Sequence, residues 1–162
     1  MRIGVPREIK PLEGRVALVP EAAGELVHAG NEVYLQAGAG DKSGYPDSAY
    51  TAHGIQILPD AAALYGRTQL IVKVKEPIAP EYDLLRPEHV LFSYLHLAAV
   101  PELARVLIQK GLTAVAFETV SVKGRLPLLA PMSEIAGRLA VQIGAHLLHA
   151  PQGGRGVLLG GL

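Results

Sequence analysis

The sequence predicts an α/β domain with a doubly wound, mostly parallel sheet, followed by one long helix. Two observations support this prediction. Short apolar runs alternate with helical stretches that end at glycine, which is typical of a parallel sheet covered by helices on both faces. Beyond residue 130 the pattern changes, and an apolar residue recurs at every fourth position in a stretch without proline, which predicts one long helix.

The predicted strands are apolar or β-branched runs bounded by turn residues. They cover residues 2–5, 32–37, 55–58, 70–75, 90–95 and 112–119. The predicted helices begin at proline or a capping residue and end near glycine or proline. They cover 20–29, 47–53, 60–65, 101–110 and 132–149, with one or two further helical turns within 77–87. This order predicts a Rossmann-like or flavodoxin-like sheet whose strands all have their carboxyl ends along one edge.

Composition excludes several classes of function. Fifteen lysines and arginines balance fifteen aspartates and glutamates, so the chain lacks the basic footprint of a nucleic-acid-binding protein. It has no cysteine, which excludes disulfides and thiolate zinc sites and suits a reducing compartment. The amino terminus is charged and interrupted by Pro6, and no apolar run reaches the roughly 18 residues of a membrane span. We therefore expect a soluble, cytoplasmic protein without a nucleic-acid, membrane or metal partner.

Two polar residues close apolar runs of the predicted sheet. Lys75 ends the run LIVKVK, and His96 follows the run VLFSYL. Ligands of open parallel sheets bind beyond the carboxyl ends of the strands. A lysine there can neutralise a carboxylate or polarise a carbonyl, and an imidazole can exchange protons near neutral pH. A lone histidine is as often structural, but its pairing with Lys75 on a neighbouring strand favours a site for a small anionic, carbonyl-bearing molecule.

The remaining polar residues give weaker indications. Arg15 lies in the loop after the first strand and could grip a carboxylate, although composition alone favours an ordinary surface arginine. We expect Lys73 to reach solvent along its stem. Solvated or structural roles are likewise predicted for Arg7, Glu8 and Lys10 of that loop, and for His28, His53, His89, His146 and His149.

The glycine-rich segments do not form a dinucleotide fingerprint. Such a fingerprint requires G-x-G-x-x-G directly after a strand and opening a helix. Gly38-Ala39-Gly40 lacks the third glycine and is predicted to be a plain turn, and the segment 153–156 has no preceding strand. The sequence therefore shows no nicotinamide-binding domain of its own.

Several segments resemble a known family. IGVPREIK (3–10) and EGRVALVP (13–20) resemble the amino termini of alanine dehydrogenases and of nicotinamide nucleotide transhydrogenase alpha subunits. VKVKEP (72–77), FSYLHLA (92–98) and LLAPMSEIAGR (128–138) distinguish the two, because transhydrogenase subunits generally lack the lysine and histidine present here at 75 and 96. The chain is therefore identified as similar to alanine dehydrogenase over essentially its whole length.

The resemblance implies reversible oxidative deamination of L-alanine to pyruvate and ammonia with NAD, in a homo-oligomer that is a hexamer in the family. Arg15 and Lys75 would bind the substrate, and His96 would be the catalytic proton carrier. Met132 and Ser133 would contact the nicotinamide end of the cofactor. These implied roles of Arg15, Met132 and Ser133 rest on the resemblance alone.

The resemblance also implies a division of the chain. Residues 1–130 would be the substrate-binding catalytic domain, 131–150 an interdomain and oligomerisation helix, and 151–162 the start of a link to an NAD-binding domain that is not in this sequence. We therefore expect the 162 residues alone to lack dehydrogenase activity. Two alternatives are a non-catalytic carboxylate-binding or assembly module and a fragment of a transhydrogenase alpha subunit.

Overall fold

A computed structural model of the chain describes residues 1–160. These residues separate into two compact units, Met1–Thr119 and a second unit that begins at Val120. Among the described residues, no helix is both long enough and apolar enough to cross a lipid bilayer.

The first unit is built on six parallel strands. They are β1 (Arg2–Val5), β2 (Glu32–Gln36), β3 (Gln56–Leu58), β4 (Leu70–Val72), β5 (Val90–Ser93) and β6 (Thr113–Ala116). Their order across the sheet is β3-β2-β1-β4-β5-β6, the doubly wound order of Rossmann-type sheets. The predicted α/β, parallel, Rossmann-like fold is confirmed.

Helices of the first unit cover both faces of the sheet. They are α1 (Pro20–His28), α2 (Asp47–Thr51), α3 (Ala61–Arg67), α4 (Ala79–Tyr82) and α5 (Pro101–Lys110). Neighbouring residues of one strand point to opposite faces. Leu35 accordingly packs with Ala23 and Tyr50 of α1 and α2, whereas Tyr34 packs with Leu64 and Leu103 of α3 and α5. One apolar cluster thus covers each face of the sheet and holds the helices against it.

Local signals explain where these helices begin and end. Pro20 and Pro101 occupy the first helical positions, where a missing N–H has no consequence. The predicted cap of α3 is present, because the Asp60 carboxylate accepts a hydrogen bond from the Ala63 N–H at 2.7 Å. At the end of α5, Gly111 adopts a left-handed conformation with φ of 69°.

The second unit contains the long helix α6 (Ala130–Leu148), close to the predicted 132–149. A tight antiparallel bridge pairs Val122 with Arg125 before it, and a short 3-10 turn (Ala150–Gln152) follows it. None of the residues in α6 is buried within the chain. The predicted linking segment 151–162 ends outside the described residues.

Candidate functional site

The site lies beyond the carboxyl ends of β1, β4 and β5. β1 and β4 are neighbours in the sheet, and the chain winds away from them in opposite directions. This arrangement opens a crevice between the two strand ends, which is the usual ligand position in doubly wound sheets. β4 pairs in turn with β5, so the segments that follow both strands meet at the same crevice.

Lys75 and His96 meet at a single carboxylate, that of Glu76. The Nδ1 atom of His96 lies 3.2 Å from Oε2 of Glu76, and Nζ of Lys75 lies 3.8 Å from the same oxygen. Glu76 is 5% exposed, whereas the side chains of Lys75 and His96 are 22% and 43% exposed. The predicted pair is therefore brought together around a buried anion, with the Lys75 ammonium and the His96 imidazole both open to a ligand.

The two residues lie farther from the sheet than the sequence indicates. The predicted strands run to residues 75 and 95, but β4 ends at Val72 and β5 at Ser93. The two segments still pair briefly, because the Tyr94 N–H donates to the Val74 carbonyl at 3.1 Å. His96 then turns out of the sheet with a left-handed φ of 48°. Lys75 and His96 are thus loop residues at the crevice rather than the last residues of strands.

Arg15 belongs to the loop that follows β1. Its Nε lies 2.9 Å from Oε1 of Glu13, and its terminal nitrogen lies 2.6 Å from Oε2. Burial raises the pKa of Tyr94, and the positive charge of Arg15 partly opposes this shift. The Tyr94 ring lies 6.1 Å from the His96 ring, whereas Arg15 lines a separate small cavity with Glu8 and Glu13.

Acid should weaken the first unit through Glu13. Its hydrogen bond from Arg15 lowers the pKa of Glu13 from 4.5 to about 2 in the folded state. This stabilisation is present above the unfolded-state pKa and is lost as the pH falls from about 4.5 toward 2. We expect the midpoint of urea unfolding, measured by tyrosine fluorescence, to decrease as the pH falls through this range. The decrease should be smaller in Glu13→Gln. Equal falls in the two proteins would contradict the assignment.

The expected solvent exposure of Lys73 is wrong. Its side chain is 1% exposed, with Nζ 2.6 Å from Oε1 of Glu81 and 3.5 Å from Oε2 of Glu8. Tyr65 donates its hydroxyl hydrogen to the same Glu81 oxygen at 3.0 Å. Lys73 is buried because α4 and the loop after β1 each supply a carboxylate that neutralises it.

Glu8 is likewise buried, contrary to the predicted solvated role. Its Oε1 accepts hydrogen bonds from the backbone N–H groups of Val74 at 2.7 Å and Lys75 at 3.4 Å. Burial raises the pKa of Glu8, and the charge of Lys73 partly opposes this effect. Glu8 therefore connects the end of β1 to the segment that carries Lys75.

Lys10, the third loop residue predicted to be solvated, is also engaged. Its ammonium group forms an ion pair with Oε1 of Glu76. Burial alone would raise the pKa of Glu76, but the Lys10 hydrogen bond and the charge of Lys75 lower it below its ordinary value. Glu76 is therefore a permanent anion at neutral pH.

The described residues do not fit the pyrophosphate of a dinucleotide. Phosphate loops need unoccupied backbone N–H groups at a helix start. In the turn at 38–40 the N–H of Gly38 already donates to Asp47 at 2.9 Å, and that of Ala39 donates to Gln36. The predicted plain turn is confirmed.

Met132 and Ser133 lie in the first turn of α6, in the second unit. Their backbone N–H groups both donate to the Leu129 carbonyl at 3.1 Å. Their contact with the nicotinamide end of a cofactor stays a prediction.

Sequence reasoning missed Glu76 and Glu118 among the groups that hold His96. Glu76 directly follows Lys75, so its place at the same crevice could have been inferred. Glu118 comes from the turn after β6, and its carboxylate accepts the backbone N–H of His96 at 2.7 Å. No sequence pattern predicts that contact, since it depends on the pairing of β5 with β6.

The fold and the site define a class of protein: a doubly wound α/β domain with cationic side chains and an imidazole at its switch point, suited to a small carboxylate. The family model described as alanine dehydrogenase/PNT, N-terminal domain matches residues 4–136. The chain therefore belongs to this family.

Individual relatives distinguish the two branches of the family. The chain is 51% identical to an alanine dehydrogenase of Bacillus subtilis and 50% identical to one of Mycobacterium tuberculosis. Each match covers 100% of this chain but only 43% and 44% of those relatives, respectively. The chain thus spans less than half the length of the curated relatives it matches.

Solved structures agree with this result. An L-alanine dehydrogenase structure matches with a TM-score of 0.91 and 52% identity, covering 100% of this chain and 45% of that one. A transhydrogenase from Sinorhizobium meliloti matches with a TM-score of 0.68 and 30% identity, covering 73% and 34%. The resemblance to alanine dehydrogenase is confirmed, and the transhydrogenase alternative is not favoured.

Proposed function

We propose that this chain forms the substrate-binding part of an NAD-dependent alanine dehydrogenase. The reaction would convert L-alanine, NAD⁺ and water into pyruvate, ammonium, NADH and a proton. The observation that carries the proposal is the convergence of Lys75 and His96 on the Glu76 carboxylate at the switch point. We also propose that the reaction takes place in the cytoplasm, and the absence of cysteine from the chain is compatible with a reducing compartment.

Arg15 and Lys75 would bind the substrate. Pyruvate and alanine each carry a carboxylate, and a guanidinium binds carboxylates through parallel hydrogen bonds. Lys75 is partly exposed at the crevice and can reach the carboxylate or the carbonyl oxygen of the substrate. On the carbonyl oxygen, its positive charge would favour attack by ammonia at the carbonyl carbon.

His96 would exchange the proton that accompanies formation or breakdown of the carbinolamine. An imidazole is suited to this task because its ordinary pKa lies near neutral pH. NAD would supply the hydride acceptor when bound. Because the described residues do not fit its pyrophosphate, we assign them only substrate binding and proton transfer, with Met132 and Ser133 as proposed contacts of the nicotinamide end.

Pyruvate titration of the purified chain tests the proposal. We expect saturable binding, detected by calorimetry or by changes in the NMR chemical shifts of the backbone amides around Lys75 and His96. Arg15→Ala and Lys75→Ala should each weaken pyruvate binding about 10- to 150-fold, because each removes a charge-assisted hydrogen bond worth about 1.5–3 kcal/mol and leaves the carboxylate unpaired.

Arg105→Ala is the matched control, since Arg105 lies exposed on α5 and its removal should leave the affinity unchanged. Wild-type protein that is folded but does not bind pyruvate would refute the proposed function. Binding that survives both site variants would place the ligand elsewhere.

We further propose that α6 is covered by a second copy of the chain in a homo-oligomer. Ile135, Leu139, Ile143 and Leu147 form a stripe at four-residue spacing, and each is between 46% and 59% exposed. Gly137 and Gly144 leave open space on the helix, so another helix can approach its backbone closely. A helix so apolar on its surface is normally buried.

Sedimentation of the purified chain tests this proposal. We expect an oligomer in the wild-type protein and a shift toward monomer in Ile143→Glu, because a buried unpaired carboxylate opposes association. Ile108→Glu is the matched control, because it changes an exposed apolar residue of α5 in the first unit and should leave the oligomer unchanged. Val106 of the same helix is half-buried and is therefore less suitable. A monomeric wild type would contradict the proposal and would leave the rest of a longer enzyme as the partner of α6.

A further inference from the structure

We propose that Glu76 is the positioning residue of this site: its carboxylate accepts a hydrogen bond from Nδ1–H of His96 and thereby leaves Nε2 as the atom that exchanges the proton. The inference rests on the proposed role of His96 in proton transfer. It extends that role, because it assigns the tautomer of the imidazole and the residue that selects it.

The ionic state of Glu76 determines the direction of this hydrogen bond. A carboxylate that is ionised can only accept. Lys10 is bound to Oε1, while Nδ1 of His96 lies 3.2 Å and Nζ of Lys75 lies 3.8 Å from Oε2. With two lysines holding the buried carboxylate as an anion, Nδ1 of His96 must carry the hydrogen. In the neutral imidazole, Nε2 then has the free lone pair.

A second carboxylate fixes the backbone from which the ring extends. Oε1 of Glu118 accepts the N–H of His96 at 2.7 Å, and both Glu118 oxygens lie 3.2 Å from the Leu95 nitrogen. Two successive N–H groups that converge on one anion form a small anion-binding concavity. This contact holds His96 at its φ of 48°, a left-handed conformation that is unfavourable for an L-residue.

The two carboxylates therefore fix different parts of His96. Glu118 fixes the backbone, and Glu76 fixes the rotation and tautomer of the ring. His96 also lines a cavity of about 390 Å³ together with Leu97, Ala116 and Thr119, which leaves space for a small ligand beside the imidazole. An oriented imidazole with one free nitrogen is the arrangement that general acid–base catalysis requires.

Nitrogen NMR of the imidazoles tests the proposal directly. Long-range ¹H–¹⁵N spectra of the histidine-labelled chain, recorded without pyruvate at a pH where the rings are neutral, distinguish Nδ1–H from Nε2–H. His96→Gln identifies the His96 signals among the six histidines by removing them. We expect Nδ1–H for His96 in the wild-type protein and Nε2–H in Glu76→Ala.

Glu76→Gln provides a second variant of nearly unchanged shape. The side-chain amide of the glutamine can either accept a hydrogen bond from Nδ1–H or donate one to an unprotonated Nδ1. The ratio of the Nδ1–H to the Nε2–H tautomer of His96 should therefore fall at least several-fold from its wild-type value. Glu102→Gln changes an exposed carboxylate on α5 and should leave the His96 tautomer as in the wild type. If Glu76→Ala does not fold, which the dispersion of backbone amide signals reports, the wild type and Glu76→Gln still decide the question.

Two outcomes would overturn the proposal: Nε2–H at His96 in the wild type, or an Nδ1–H form that is unaffected in the folded Glu76 variants. Neither outcome depends on pyruvate, so the tautomer experiment can fail independently of the pyruvate titration. A wild-type chain that has the Nδ1–H tautomer but does not bind pyruvate would support the positioning role of Glu76 and refute the proposed substrate.

Discussion

Replacement of Lys73 by methionine is expected to lower the free energy of unfolding of the first unit by about 3–5 kcal/mol. Lys73 is 1% exposed and lies between the carboxylates of Glu8 and Glu81. Methionine fills much of the same space but removes the only positive charge among these three side chains. The two carboxylates would then repel each other without the solvation that an exposed pair would have.

Tyrosine fluorescence in urea measures this loss for the first unit alone. The six tyrosines all lie between residues 34 and 94, whereas the second unit begins at Val120. Lys42→Met is the matched control, because Lys42 is exposed and its loss should change stability by no more than about 0.5 kcal/mol. The difference in the free energy of unfolding between Lys73→Met and Lys42→Met should decrease as the pH is lowered, since protonation removes the charges of Glu8 and Glu81.

A loss below about 1 kcal/mol for Lys73→Met at neutral pH would show that the carboxylates are already neutralised by protons. Oε2 of Glu8 makes its closest approach to Lys73 at 3.5 Å and accepts no hydrogen bond within the described residues. The raised pKa of Glu8 favours proton uptake there as the pH falls. The pH dependence of the Lys73→Met penalty therefore reports the charge of this buried group.

The fold could be predicted because its signals are local. Alternating apolar runs and glycine stops are present in consecutive residues, and Arg2–Val5 and Pro101–Lys110 have the predicted bounds. The ends of β4 and β5 were predicted two or three residues too late, since an apolar run continues where the backbone pairing stops. Val74 and Leu95 are still buried, although they no longer belong to strands.

The site could be predicted only in part because its buried charges depend on contacts between distant segments. Lys75 and His96 follow apolar runs, and the position of each at a sheet edge is a local inference. Lys73 and Glu8 resemble surface residues in the sequence, and 65 positions separate them. Only the neighbouring positions of β1 and β4 bring the two together and bury them.

The Gly38-Ala39-Gly40 turn also depends on close packing, which leads to a second large effect. A Cβ atom at Gly40 would lie 2.4 Å from the Tyr45 carbonyl oxygen and 2.8 Å from a ring carbon of Tyr50. Tyr50 is fully buried and donates its hydroxyl hydrogen to the Leu18 carbonyl at 2.9 Å. Neither neighbour can move freely, so Gly40→Ala should destabilise the first unit by about 1–3 kcal/mol.

The same urea titration tests this prediction, with Gly66→Ala as the matched control. A Cβ atom at Gly66 would have its nearest contact at 3.5 Å, with the terminal nitrogen of Arg86, and Gly66 lies within α3. Alanine should therefore raise stability there by up to about 1 kcal/mol, the usual difference between the two residues in a helix. Opposite signs for the two glycine variants would show that Gly40 is required by close packing rather than by a phosphate ligand. If Gly40→Ala proved as stable as the wild type, the loop would have to be looser than its contacts with Tyr45 and Tyr50 indicate.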